Sequence, residues 1–125
     1  MLAWATYVIS LSVPAVRTEG LLFTPEYVSG IDAASSAPWT GAYGVVSALT
    51  NLLFLSTIVS LIRRKPSAAI GVLLIGSAFL NLGWLQEPPP SNVIYEGLLF
   101  GYYLWIFSYL LMGLAQFASG WRQTA

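Results

Sequence analysis

The sequence predicts an all-α integral membrane protein, a four-transmembrane-helix bundle with a short surface helix in the first outer loop. Three observations predict it. Hydrophobic residues make up 57% of the chain and charged residues 8%, against about 25% charged in a soluble domain. Three stretches of about 20 residues carry no charge, the length that crosses a hydrocarbon core of roughly 30 Å. Turn-forming and charged residues punctuate the chain between those stretches. At 125 residues the chain is one domain, 1–125. Disorder is excluded, because disordered chains are poor in apolar residues.

The first expected span covers about 1–18. Its apolar part, Met1 to Val16, is short, so the helix must run past Arg17 or the bilayer must thin. It lacks a basic n-region and reads as retained rather than as a cleaved signal. An outer loop, 19–40, follows. Within it, Thr24-Pro25-Glu26 reads as N-cap, first-turn proline and first-turn carboxylate, which predicts a short helix from Pro25 to about Ala33. Leu21, Leu22, Phe23 and Tyr27 would lay it on the membrane surface or over the bundle mouth.

The second span covers about 43–62 and the third about 67–86. Between them, Arg63-Arg64-Lys65-Pro66-Ser67 is a tight turn with Ser67 placed to cap the third helix. Glu87 to Asn92, with three prolines, is a stiff connector. The fourth span covers about 97–118. Backbone groups in lipid must be paired, so segments this long and apolar are helices.

Charge sets the expected orientation. All five carboxylates, Glu19, Glu26, Asp32, Glu87 and Glu96, fall in the first and third connections. Arg63, Arg64, Lys65 and Arg122 fall in the second connection and the C-terminal tail; Arg17 is the exception, with Glu19 and Glu26 nearby as partners. Basic residues in short loops stay in the cytoplasm, which places both termini there. Trp39 and Trp84 near one boundary, and Trp4 and Trp121 near the other, fit the aromatic belts of a bilayer. Trp105 stands mid-span.

Several chemistries are excluded. The chain has no cysteine and no histidine, which removes thiolate sites, disulfides and the usual metal ligand and general base. No nucleophile sits beside a base, and no Gly-rich phosphate loop is present, so no catalytic residues and no enzyme are predicted. Three adjacent cations at a membrane turn are explained by topology and anionic lipid, not by nucleic acid.

Two sets of residues carry the functional expectations. Ser47-Ala48-Leu49-Thr50-Asn51-Leu52 is echoed by Ser77-Ala78-Phe79-Leu80-Asn81-Leu82. Ser47 and Asn51, like Ser77 and Asn81, share a helix face, and both asparagines are equally distant from Pro66. They should therefore meet at matched depth as polar intramembrane contacts, either an interhelical clasp or a ligand or ion site. The clasp is the favoured reading. The second set is the fourth helix. Gly97, Gly101, Ser108 and Ala115 predict a small-residue docking face, which the first helix or an external partner would fill. Opposite it, Tyr102, Tyr103, Trp105 and Tyr109 form an aromatic wall suited to a bound lipid, quinone or carotenoid, though no cofactor is predicted.

The sequence thus points to a non-catalytic accessory or structural subunit of a larger membrane complex. Its expected partners are membrane lipids and other membrane subunits or copies of itself. The alternative is a small oligomeric carrier or channel for a solute or lipid-like ligand; the absence of a charge deep in any span weighs against proton coupling.

Overall fold

Pro14 sets the first departure from those expectations. In the computed structural model, which describes residues 1–19, 25–39, 41–63, 65–85 and 95–124, the first helix, α1 (Leu2–Ser12), stops two residues before that proline. Pro14 lacks the N–H a continuing helix would need, and the chain passes into a strand, β1 (Pro14–Glu19). At 11 residues, α1 rises about 16 Å, half of a bilayer core. The expected span over 1–18 is corrected to this shorter helix.

A three-stranded antiparallel sheet also corrects the all-α expectation. β1 lies at its centre, between β2 (Pro25–Ser29) and β3 (Tyr95–Leu98). Thr18 pairs with Glu26 on one side and Tyr95 on the other, and Val16 with Val28 and Leu98. The short helix predicted to begin at Pro25 is therefore a strand there, because its backbone completes the ladder to β1. The surface helix comes five residues later as α2 (Gly30–Ser36). Ser29 caps it: its Oγ accepts from Asp32 N at 3.3 Å and donates to Asp32 Oδ2 at 2.6 Å. A 3-10 turn over Ala37–Trp39 leads on. Leu21 to Thr24, counted in the expected surface segment, lie outside the described residues.

Helix α3 (Ala42–Ile62) matches the second expected span almost to the residue. It begins at Gly41, whose φ of 103° belongs to the left-handed region that glycine enters without strain. Helix α4 (Ala68–Asn81) is shorter than the expected 67–86 and ends in a 3-10 turn, Leu82–Leu85. Ser67 caps it as expected, accepting from Ile70 N at 3.4 Å. Helix α5 (Phe100–Thr124) begins three residues late, because β3 takes Gly97 and Leu98 into the sheet, and it runs on through Arg122.

Two helices, α3 and α5, contain segments long and apolar enough to cross a membrane, Gly44–Ile62 and Phe100–Arg122. Four full-length spans are not supported: α1 and α4 are shorter apolar helices. Contacts fix the directions. Asn51 meets Tyr109 and Ser60 meets Gln116, so α3 and α5 run parallel. Gly71 abuts Gly113 and Asn81 meets Tyr102, so α4 runs antiparallel to α5. Gly101 abuts Val13 and Pro14 while Tyr7 reaches Asn51, so α1 also runs antiparallel to α5. The sheet and α2 thus sit at one end of the bundle. The turn at Arg63–Ser67 and the last turns of α5 sit at the other.

Buried polar side chains accompany an apolar core, and many large apolar side chains are exposed. Phe54, Leu74, Tyr109 and Met112 form the buried core. Among the described residues, polar side chains are also buried, including Ser47, Thr50, Thr57, Asn81, Ser108 and Gln116. Meanwhile Leu49, Leu52, Leu55, Val59, Leu73, Phe79, Phe107 and Leu114 are exposed. In water an apolar surface this continuous drives association.

Candidate functional site: a polar layer inside the bundle

Asn51 and Asn81 organise a layer of hydrogen bonds that joins α1, α3, α4 and α5. The Asn51 side chain projects from α3, and its Oδ1 accepts from three aromatic donors. Trp105 Nε1 approaches at 2.9 Å, Tyr109 OH at 3.0 Å and Tyr7 OH at 3.1 Å. An indole N–H can only donate, which fixes the carboxamide with its oxygen toward α5. Asn51 Nδ2 then donates to Ser47 O at 3.3 Å.

Asn81, from α4, is 1% exposed. Its Oδ1 accepts from Ser47 Oγ at 2.6 Å, and its Nδ2 donates to Ser77 O at 2.8 Å and Thr50 Oγ1 at 2.9 Å. Its backbone oxygen accepts from Tyr102 OH at 2.5 Å. Ser47 links the two amides, since its carbonyl takes Asn51 and its hydroxyl reaches Asn81. The pair meets through this third residue rather than directly. Ser77 contributes its carbonyl, while its hydroxyl turns back to Leu73 O at 2.7 Å.

Aromatic rings pack beneath the layer. Tyr7 stacks on Phe54 with centroids 4.4 Å apart, Trp4 meets Phe54 edge-on at 5.0 Å, and Tyr109 lies 5.0 Å from Phe54. Such pairs add about 0.5–1.5 kcal/mol each beyond area burial. Trp4 Nε1 is the buried side-chain donor left without an acceptor among the described residues.

The expected docking face is divided by the fold. Gly97 lies in β3 opposite Arg17, so Gly97 and Gly101 do not share a helix face. Gly101 is packed against the α1–β1 junction, where a Cβ would lie 2.7 Å from Pro14 O. Ser108 is buried, its hydroxyl donating to Trp105 O at 2.6 Å, and Ala115 is exposed. Close backbone approach between α4 and α5 uses glycines outside the expected set. A Cβ at Gly71 would lie 2.5 Å from Phe117 N and 2.7 Å from Gly113 O, so α4 and α5 meet through Gly71 and Gly113.

The expected aromatic wall is divided too. Tyr102 and Tyr109 are buried and Trp105 half-buried, all three bonded within the layer, while Tyr103 is exposed. Adjacent residues on a helix point about 100° apart, so Tyr102 and Tyr103 cannot share a face.

Sequence reasoning missed Tyr7, Thr50 and Gln116. Gln116 Oε1 accepts from Ser67 N at 3.1 Å and Ser60 Oγ at 3.2 Å, pinning the basic turn to α5. A lone buried amide near the end of an apolar helix was the available signal. Tyr7 carried none, because its partner lies 44 positions away.

No protein-family model matches the chain, and neither the curated proteins nor the solved structures compared with it match. The functional reading therefore rests on the residues themselves.

Proposed function

We propose that this chain is an integral membrane protein with a non-catalytic, structural role, docked into a larger membrane complex. The observation that carries the reading is the closed polar layer: the side-chain polar groups of Ser47, Thr50 and Asn81 are each bonded inside the bundle. A carrier needs polar groups that exchange partners with a solute. A clasp needs groups that satisfy one another, as these do.

In this reading α3 and α5 cross the bilayer in the same direction. The chain must return between them, and α4 with its 3-10 extension does so over about 29 Å. Basic residues favour the cytoplasmic side, so in this reading the turn carrying Arg63 and Lys65 and the end of α5 with Arg122 face inward and the sheet faces outward. Exposed Trp39 and Trp121, one at each end, sit at headgroup level.

Gly101 is covered by Val13 and Pro14, and Gly71 and Gly113 cover each other, which leaves the outer row of α5 for a partner. Phe100, Tyr103, Phe107 and Leu114 recur along it at steps of three, four and seven and are exposed. The occupant in this reading is an apolar transmembrane helix of another subunit. The test is purification of the tagged chain from its native membrane in a mild detergent, with its companions identified by mass spectrometry. A stoichiometric membrane subunit that is lost on Phe107→Ala, with helix content unchanged, supports the reading. Recovery of single chains or only of self-assemblies, in wild type and variant alike, overturns it.

A further inference from the structure

We infer that the end of the bundle carrying Arg63, Lys65 and Arg122 is a preorganised site for the headgroup of an anionic phospholipid. The inference rests on the membrane reading above and adds a ligand class to it. All three side chains are exposed, and none makes a hydrogen bond or ion pair among the described residues. They come from two separate elements that the fold ties together. Gln116, 3% exposed, accepts from Ser67 N and Ser60 Oγ, and Ser60 Oγ also lies 2.8 Å from Lys65 O. Gly120 packs its backbone against Ala68, with no room for a Cβ. The turn is thereby held against the last turns of α5, two residues from Arg122.

This arrangement gathers like charges. The described carboxylate side chains, Glu26 and Asp32, belong to the sheet end of the bundle, and the sequence has no Asp or Glu between residues 33 and 86 or after 96. Among the described residues no carboxylate side chain is paired with the cluster, whereas an anionic leaflet neutralises it, at about 1 kcal/mol per basic residue. The flanks select a lipid over a free anion. Ile62 is 75% exposed and Trp121 62% exposed beside the cations, so acyl chains lie against them while the phosphate meets the guanidinium and ammonium groups.

The test reconstitutes the full chain in nanodiscs of equal parts phosphatidylcholine and phosphatidylglycerol and counts retained lipids by native mass spectrometry. The expected result is retention of phosphatidylglycerol over phosphatidylcholine. That ratio should fall about fivefold for each cation removed in the series Arg63→Gln, Lys65→Gln and Arg122→Gln. Arg63→Lys with Arg122→Lys should preserve it, which separates charge from folding. Equal retention of both lipids, or a preference unchanged by the glutamine variants, overturns the inference. Displacement of the retained lipid by inorganic phosphate alone overturns the choice of a lipid ligand. A chain that never enters the nanodisc overturns the membrane reading itself, a distinct result from insertion without selectivity.

Discussion

Tyr7 and Tyr109, on helices α1 and α5, donate to the same oxygen, Asn51 Oδ1, at 3.1 and 3.0 Å. One carboxamide on α3 thus holds two neighbouring helices, with Trp105 as a third donor. Hydrophobic burial drives helix association weakly when the solvent is lipid, so bonds of this kind and close packing take over.

Replacing Asn51 by Leu leaves three donors without their acceptor. The indole N–H has no rotation that finds another, so the loss is expected at about 2–4 kcal/mol. Tyr7→Phe removes one donor of three and should cost only about 0.6 kcal/mol. Denaturant titration in detergent micelles checks both. Equal effects of the two substitutions would contradict the shared-acceptor geometry.

Gly71→Ala and Gly76→Ala should differ in sign. The new Cβ at 71 would meet α5 backbone at 2.5 Å, while that at 76 meets nothing within 4 Å. Overpacking at 71 is expected to destabilise by about 1–3 kcal/mol. At 76 the gain in helix propensity should stabilise by about 0.5–1 kcal/mol. Paired thermal melts decide it.

Ser29→Ala removes both halves of the α2 cap, for an expected loss of about 1 kcal/mol. The effect should be local: amide exchange accelerates through Gly30–Ser36 and stays unchanged in α3. Exchange accelerating equally in both helices would show that α2 is not an independent unit.

The long apolar helix α3 was legible in the sequence because nothing competes with helix in an uncharged run of that length. The Asn51–Asn81 layer was legible in part, through equal distance from Pro66, which a hairpin converts to equal depth. The sheet was not. Its strands have six, five and four residues, and β1 is a strand only because β2 and β3 pair with it from distant positions. The same non-local pairing removed Gly97 from the fourth helix and broke the docking strip. Thr24-Pro25-Glu26 reads as a helix start locally, yet pairing of Glu26 with Thr18 overrides it. The division of the aromatic wall was within reach, since helical geometry alone separates Tyr102 from Tyr103.

Orientation is testable because the chain has no cysteine. Ser35→Cys, at the sheet end, should react with an impermeant thiol reagent applied outside intact cells. Lys65→Cys should react only after the membrane is opened. The reverse pattern would invert the topology.

Leu52, Leu55 and Val59 are exposed on α3 while Ser47, Phe54 and Thr57 are buried, an arrangement that fits an outer face against lipid. Spin labels placed singly along α3 test it most directly, through collision with oxygen, which partitions into lipid, and with a water-soluble nickel chelate. In reconstituted bilayers, labels at Leu52, Leu55 and Val59 should collide strongly with oxygen and weakly with nickel, while those at Ser47, Phe54 and Thr57 should be shielded from both. Strong nickel collision at Leu52, Leu55 and Val59 would put that face in water and contradict the account.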